Sequence, residues 1–114
     1  MSQTGCSAQG MEPFALRVIG DSMAPEFCDG NIIIVDPGHP VVNGVYAVVE
    51  KIDEQGSEVV FGQYFDDGQR RWIEYLNPEF DSVALPSNFS VKGVIIQRNG
   101  RRRKEIKHYQ YPGV

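Results

Sequence analysis

The sequence predicts a mostly β protein, a twisted, partly closed antiparallel barrel of about seven short strands with at most one short helix. Three observations carry that expectation. Apolar residues recur at period two in several separate stretches. Twelve glycines and seven prolines in 114 residues punctuate those stretches. No segment of helical length has helical periodicity, and there are no heptads or internal repeats.

The elements follow in order. Glu12 to Ile19 alternates Phe14, Leu16 and Val18 with Ala15, Arg17 and Ile19 and stops at Gly20, the pattern of a half-buried strand. Gly20 to Gly30 is a chain reversal in which Pro25 admits a short helical turn but no long helix. Asp29-Gly30 then turns the chain into Ile32-Ile33-Ile34-Val35, apolar on both faces and so expected at the centre of the sheet. Pro37-Gly38-His39-Pro40 breaks that strand, and Asn43-Gly44 marks a turn or bulge before the β-branched run Val45 to Ile52. Asp53 to Gly56 reads as a hairpin loop returning along Glu58 to Phe65, and Asp66-Asp67-Gly68-Gln69 repeats the device before Arg71 to Leu76. Asn77-Pro78 closes that strand, Phe89 to Gln97 is the next, and Asn99-Gly100 would turn the chain back along Arg101 to Tyr109.

Hydrophobic residues at 41% and charged residues at 23% describe one globular domain with a single core. The first ten residues are small and polar and no stretch is apolar enough for a membrane span, so a soluble cytoplasmic protein without membrane contact is expected. Thr4-Gly5-Cys6-Ser7 lacks the apolar segment that precedes a lipoprotein acylation site. Cys6 and Cys28 form neither a disulfide framework nor a zinc spacing, and His39 and His108 are isolated, so reduced thiols, no metal and no cofactor are expected. Net charge is −4 but unevenly spread. Residues 1–97 hold fourteen acidic and five basic side chains, net −9, whereas 98–114 hold six basic and one acidic, net +5. The basic set, Arg98, Arg101, Arg102, Arg103, Lys104 and Lys107, is a candidate for phosphate contact; the competing and favoured explanation is a solvated edge whose charges deter strand pairing.

The run Gly20-Asp21-Ser22-Met23-Ala24-Pro25 places a serine at a sharp reversal straight after a strand, where a nucleophile would be presented. A serine hydroxyl needs a base beside it, a histidine or a lysine made neutral by burial. Neither histidine has an identifiable carboxylate partner in the sequence. Gly20-Asp21-Ser22-Met23, Pro25, Asp29-Gly30 and the strand ending Val35-Asp36 closely resemble the LexA-type repressor peptidases and their signal-peptidase relatives. The resemblance continues through Asn43 to Val48, Asn77-Pro78-Glu79-Phe80 and Val91-Lys92-Gly93-Val94-Ile95. It implies a bent, mostly antiparallel β-fold, a Ser-Lys dyad, homodimers, and self-cleavage of repressors or mutagenesis proteins. The implied division is a flexible segment 1–11, a peptidase-like domain 12–97, and a basic hairpin or tail 98–114.

Carried over by position, Ser22 matches the nucleophile, and Ser22 with Met23 and the surrounding amides matches the region that takes the scissile carbonyl. Asn31 stands where aspartate is more usual. The family reads approximately Thr-Val-Lys-Arg where this chain reads Val59-Val60-Phe61-Gly62, so Phe61 replaces the general-base lysine. A phenyl ring accepts no proton. Pairing across the Asp53–Gly56 loop would set Val48 opposite Phe61 and Lys51 opposite Glu58, sending Lys51 to the other face; a one-residue slip would reverse this and make Lys51 the alternative base. With twenty-one residues before Ser22, cleavage of the chain's own upstream segment is not expected, nor is a DNA-reading domain or membrane anchor. The expected role is a stand-alone, catalytically degenerate LexA-like domain acting by self-association or protein binding. The alternatives are an active peptidase using Lys51, and nucleic-acid binding through the basic segment with Tyr109 and Tyr111 stacking on bases.

Overall fold

The computed structural model describes residues 12–100, 102 and 105–111. The expected N-terminal segment 1–11, with Cys6, lies outside the described residues. Eight strands are present: β1 Phe14–Arg17, β2 Ile32–Asp36, β3 Tyr46–Asp53, β4 Gly56–Asp66, β5 Arg71–Glu74, β6 Val83–Ala84, β7 Phe89–Asn99 and β8 Ile106–His108. They form one antiparallel sheet in the order β1-β2-β7-β3-β4-β5-β6, with β8 paired to β7. The sheet is bent and not closed, ending at β1 and β6. β7 passes from β3 to β2 at Val94, which pairs with both, and the register shifts at Ile34/Val35 and Val48/Val49 mark a bulge on either side of it.

Two apolar clusters lie on opposite faces. Met23, Phe27, Ile33, Val35, Val48 and Ile95 belong to one, and Ala47, Val49, Val60, Tyr64, Ile73 and Val94 to the other. Because Ala47, Val48 and Val49 alternate between them, β3 is buried on both sides, and each buried valine contributes roughly 1.5–3 kcal/mol. The centre of the sheet is thus β3 and β7; β2, expected there, lies one place from the end, with Ile32 and Ile34 only partly covered. The Glu12 to Ile19 strand is shorter and differently placed than its alternation suggests. As β1 it pairs only with β2 and is exposed on both faces, Phe14 and Leu16 at 37% each.

The hairpin at Asp53 forms as expected, Asp53 pairing with Gly56 and the Asp53 carboxylate accepting the Gln55 N–H at 2.9 Å. Asp66 and Asp67 close the next turn through Gly68 and Gln69 N–H groups, which is how Asx side chains make turns. No helix occurs among the described residues. The helical turn allowed at Pro25 is reduced to one bond of helical span, Phe27 N–H to Met23 O at 2.9 Å. β6 went unforeseen because two residues before Leu85-Pro86 are too few to show a period.

Candidate functional site

The serine turn is built from its neck upward. Val18 N–H donates to Asn31 O and Gly30 N–H to Val18 O, both at 2.8 Å. Gly20 and Gly30 are left-handed, with φ of 90° and 92°, which a side chain would oppose by about 1–2 kcal/mol. The Asp29 carboxylate accepts Gly20 N–H at 2.7 Å, and the Asn31 side-chain oxygen accepts Cys28 N–H at 2.8 Å. Asn31 therefore supplies the acceptor oxygen that an aspartate would equally offer. Asp21 works through its carbonyl, which accepts Ala24 N–H at 3.1 Å and the Asn77 amide at 3.0 Å, while Asn77 N–H donates to Ser22 O at 3.0 Å. Asn77, read from sequence as a strand terminator and part of a family-like run, has a holding role the sequence did not show, because its partner lies fifty-six positions away. Met23 and Phe27, each 0% exposed, anchor the turn in the core, and Leu76 N–H points at the Met23 sulfur, 3.4 Å away.

Ser22 is left half-buried beside a groove of about 390 Å³, bounded by Leu16 to Ile19 on one side and Glu58 to Phe61 with Tyr75 on the other. Among the described residues, the Ser22 hydroxyl has no hydrogen-bond partner, and no acceptor takes the amide N–H of Ser22 or Met23. The groove runs between two open strand edges, since β1 pairs only with β2 and β4 meets β5 only from Gln63 to Asp66. Burial, then the charge of Glu58, raises Tyr75 above the ordinary phenol range, so this hydroxyl stays protonated near neutrality.

The register is the expected one, Val48 opposite Phe61 and Lys51 opposite Glu58. Phe61 packs edge-on against Phe27, 5.1 Å between centroids, in the cluster that holds Met23. At Gly62, its neighbour, an added Cβ would clash with the Ile73 Cγ2 methyl and lie 3.0 Å from Glu74 O, so the position admits no side chain without a shift. Lys51 lies 3.5 Å from Glu58 and lines a separate cavity with Leu85 and Pro86. Lys92, unplaced by sequence, is 2.9 Å from Glu50. His39 Nδ1 is bonded to Pro40 O at 2.8 Å, and His108 is exposed on β8. Among the described residues the groove is lined by no lysine and no histidine.

The basic segment is partly neutralised from within. Lys107 and Arg98 lie 2.7 and 3.2 Å from the Glu26 carboxylate, which also accepts the Tyr109 hydroxyl at 2.6 Å. Burial pushes the Glu26 carboxyl up, but hydrogen bonds from Lys107 and Tyr109 and the charges of Lys107 and Arg98 outweigh it and leave it below the usual range. Arg102 is exposed; Arg101, Arg103 and Lys104 lie outside the described residues. No cluster of three His, Cys, Asp or Glu side chains suited to a metal occurs among the described residues, and Cys28 is a free, exposed thiol. No described helix is long and apolar enough to cross a membrane.

A bent antiparallel sheet presenting a Gly-Asp-Ser-Met turn beside a strand-edged groove defines the class: the chain belongs to the Peptidase S24-like family, whose profile matches residues 3–96. Several curated relatives are named as repressors or transcriptional regulators. It is 35% identical over 100 residues to the prophage repressor CohE of Escherichia coli, covering 86% of this chain and 44% of that one. It is 34% identical over 99 residues to the HTH-type transcriptional regulator for conjugative element SXT of Vibrio cholerae, covering 82% and 44%. The chain thus spans less than half the length of the curated relatives it matches.

Proposed function

We propose that this S24 domain has lost peptide hydrolysis and acts by association, binding protein segments or a second copy of itself in a regulatory setting of the kind its relatives' names describe. The observation that carries this reading is the Ser22 hydroxyl without a hydrogen-bond partner among the described residues, beside a groove lined there by no lysine or histidine; the resemblance that puts Phe61 at the base position supports it. Activation of a serine needs a base within hydrogen-bond reach. What survives is recognition. The Ser22 and Met23 amides, two open strand edges and the exposed apolar side chains Leu16, Ile19 and Val59 suit an extended segment, which adds main-chain bonds along an edge and lays alternate side chains in the groove.

A fluorophosphonate probe tests the loss of hydrolysis. Wild type is expected to stay unlabelled at Ser22 over hours, and Phe61→Lys, which sets a desolvated amine on the same strand face, is expected to become labelled in a manner abolished by adding Ser22→Ala. Labelling of wild-type Ser22 overturns the reading; its disappearance in Lys51→Ala would identify the displaced base. A folded but inert Phe61→Lys protein would show that position 61 is not where the family's lysine sits.

A further inference from the structure

Two consecutive residues of the serine turn hold the same residue of the C-terminal segment. The Tyr109 ring packs on Phe27, 5.4 Å between centroids, and edge-on to Tyr46 at 5.7 Å. Its hydroxyl donates to the Glu26 carboxylate at 2.6 Å. Lys107 donates to that carboxylate at 2.7 Å, and Arg98 donates both to it, at 3.2 Å, and to the Glu26 carbonyl. Donors from β7, β8 and the residue just after β8 thus converge on one side chain of the turn. Charge-assisted bonds of this kind are about twice as strong as neutral ones.

β8 does not hold the segment by its own packing, since Ile106, Lys107 and His108 are all exposed. Beyond its ladder to β7, the grip comes from the tyrosines that follow: Tyr109 N–H donates to Ile96 O at 3.0 Å, and the Tyr111 hydroxyl donates to Ile95 O at 2.6 Å. These residues lie beyond 3–96, the part matched to the family.

We infer that residues 105–111 form a strap that sets the conformation of the Ser22 turn, with Glu26 as its catch and Arg98, Lys107 and Tyr109 as positioning residues. Asn77 grips the turn at its Asp21-Ser22 end and the strap at its Glu26-Phe27 end, so the turn is held from two sides. The inference goes beyond the loss of hydrolysis and does not depend on it, because the strap would position Ser22 whether or not the serine reacts.

Hydrogen exchange followed by mass spectrometry tests it on the whole chain, in wild type, Glu26→Gln, Tyr109→Phe and Tyr111→Phe. Opening of the catch predicts that amides of residues 20–30 exchange about tenfold faster in Glu26→Gln and Tyr109→Phe, while β3 and β4 keep their wild-type rates. Tyr111→Phe, which removes a hydroxyl bonded to β7 and not to the turn, should leave residues 20–30 unaffected. Unchanged exchange in residues 20–30 in the Glu26 variant overturns the strap, as does uniform acceleration across every strand or an equal effect of Tyr111→Phe. Tyr109→Phe keeps the ring against Phe27 and decides the matter if Glu26→Gln does not fold.

Discussion

Gly93 stands where β7 passes from β3 to β2, and a Cβ added there would lie 2.6 Å from the Val35 Cγ1 and 2.9 Å from the Asp36 backbone. The requirement is for space, unlike that at Gly20, where nothing lies within 4 Å and the left-handed φ of 90° is what excludes a side chain. Gly93→Ala is expected to destabilise the fold by about 1–3 kcal/mol, the usual cost of overpacking, as read from urea unfolding midpoints. A loss under about half a kcal/mol would mean that the β2–β7 crossing yields easily. At this scale the sequence was legible where chemistry is local: Ser22 stands out by its Gly-Asp-Ser-Met setting. Asn77 and Gly93 fall in family-like runs, but their roles were not legible there, because the reasons lie in partners far along the chain.

The β3–β4 hairpin was readable as an element, since Asp53 to Gly56 sets a short loop and a short loop sets the register. That register places Lys51 beside Glu58, with side chains 21% and 69% exposed, and a pair so open to solvent contributes at most about 1 kcal/mol. Lys51→Ala is accordingly expected to shift stability by less than about 1 kcal/mol and to leave the fluorophosphonate behaviour of Ser22 as in wild type. Loss of several kcal/mol on chemical denaturation would contradict the exposed-pair description. β1 was misjudged for a general reason: alternation reports that a strand could bury one face, and only the neighbouring layers decide whether anything covers it. Phe14 and Leu16 alternate as core residues do and stay partly open at the end of the sheet.

Across the whole molecule, ionisable groups limit stability from both ends of the pH scale. Glu26 is held below its ordinary 4.5, as is Glu50, hydrogen-bonded by Lys92 and Ser57, and Asp67 is held below its ordinary 3.8 by the Arg70 and Gln69 amides. A depressed carboxyl contributes stability that is complete above the unfolded value and vanishes as pH falls through the folded one. Burial raises Tyr109 and Tyr111 above the ordinary 10.0, with Tyr109 raised further by its bond to Glu26, so their contribution is complete below that value and is lost as pH rises. Urea midpoints are expected to be level between about pH 6 and pH 9, to fall below about 4.5 and to fall again above about 10. Glu26→Gln should flatten the acid limb. An acid limb of unchanged slope in that variant would remove Glu26 from the account.

The sequence by itself determined the all-β class, most strand positions, both aspartate-glycine turns and the family-like serine turn, because period, turn chemistry and motif are properties of near neighbours. The resemblance also put Phe61, which carries no amine, at the position of the family's lysine. Only the tertiary structure decided that Ser22 lacks a hydrogen-bond partner among the described residues, that Lys51 lines another cavity, and that Arg98 and Lys107 of the basic set close on Glu26. A charge seen in sequence has no partner until the chain brings one from β7 or β8 to the turn, and that juxtaposition depends on contacts between positions more than seventy residues apart.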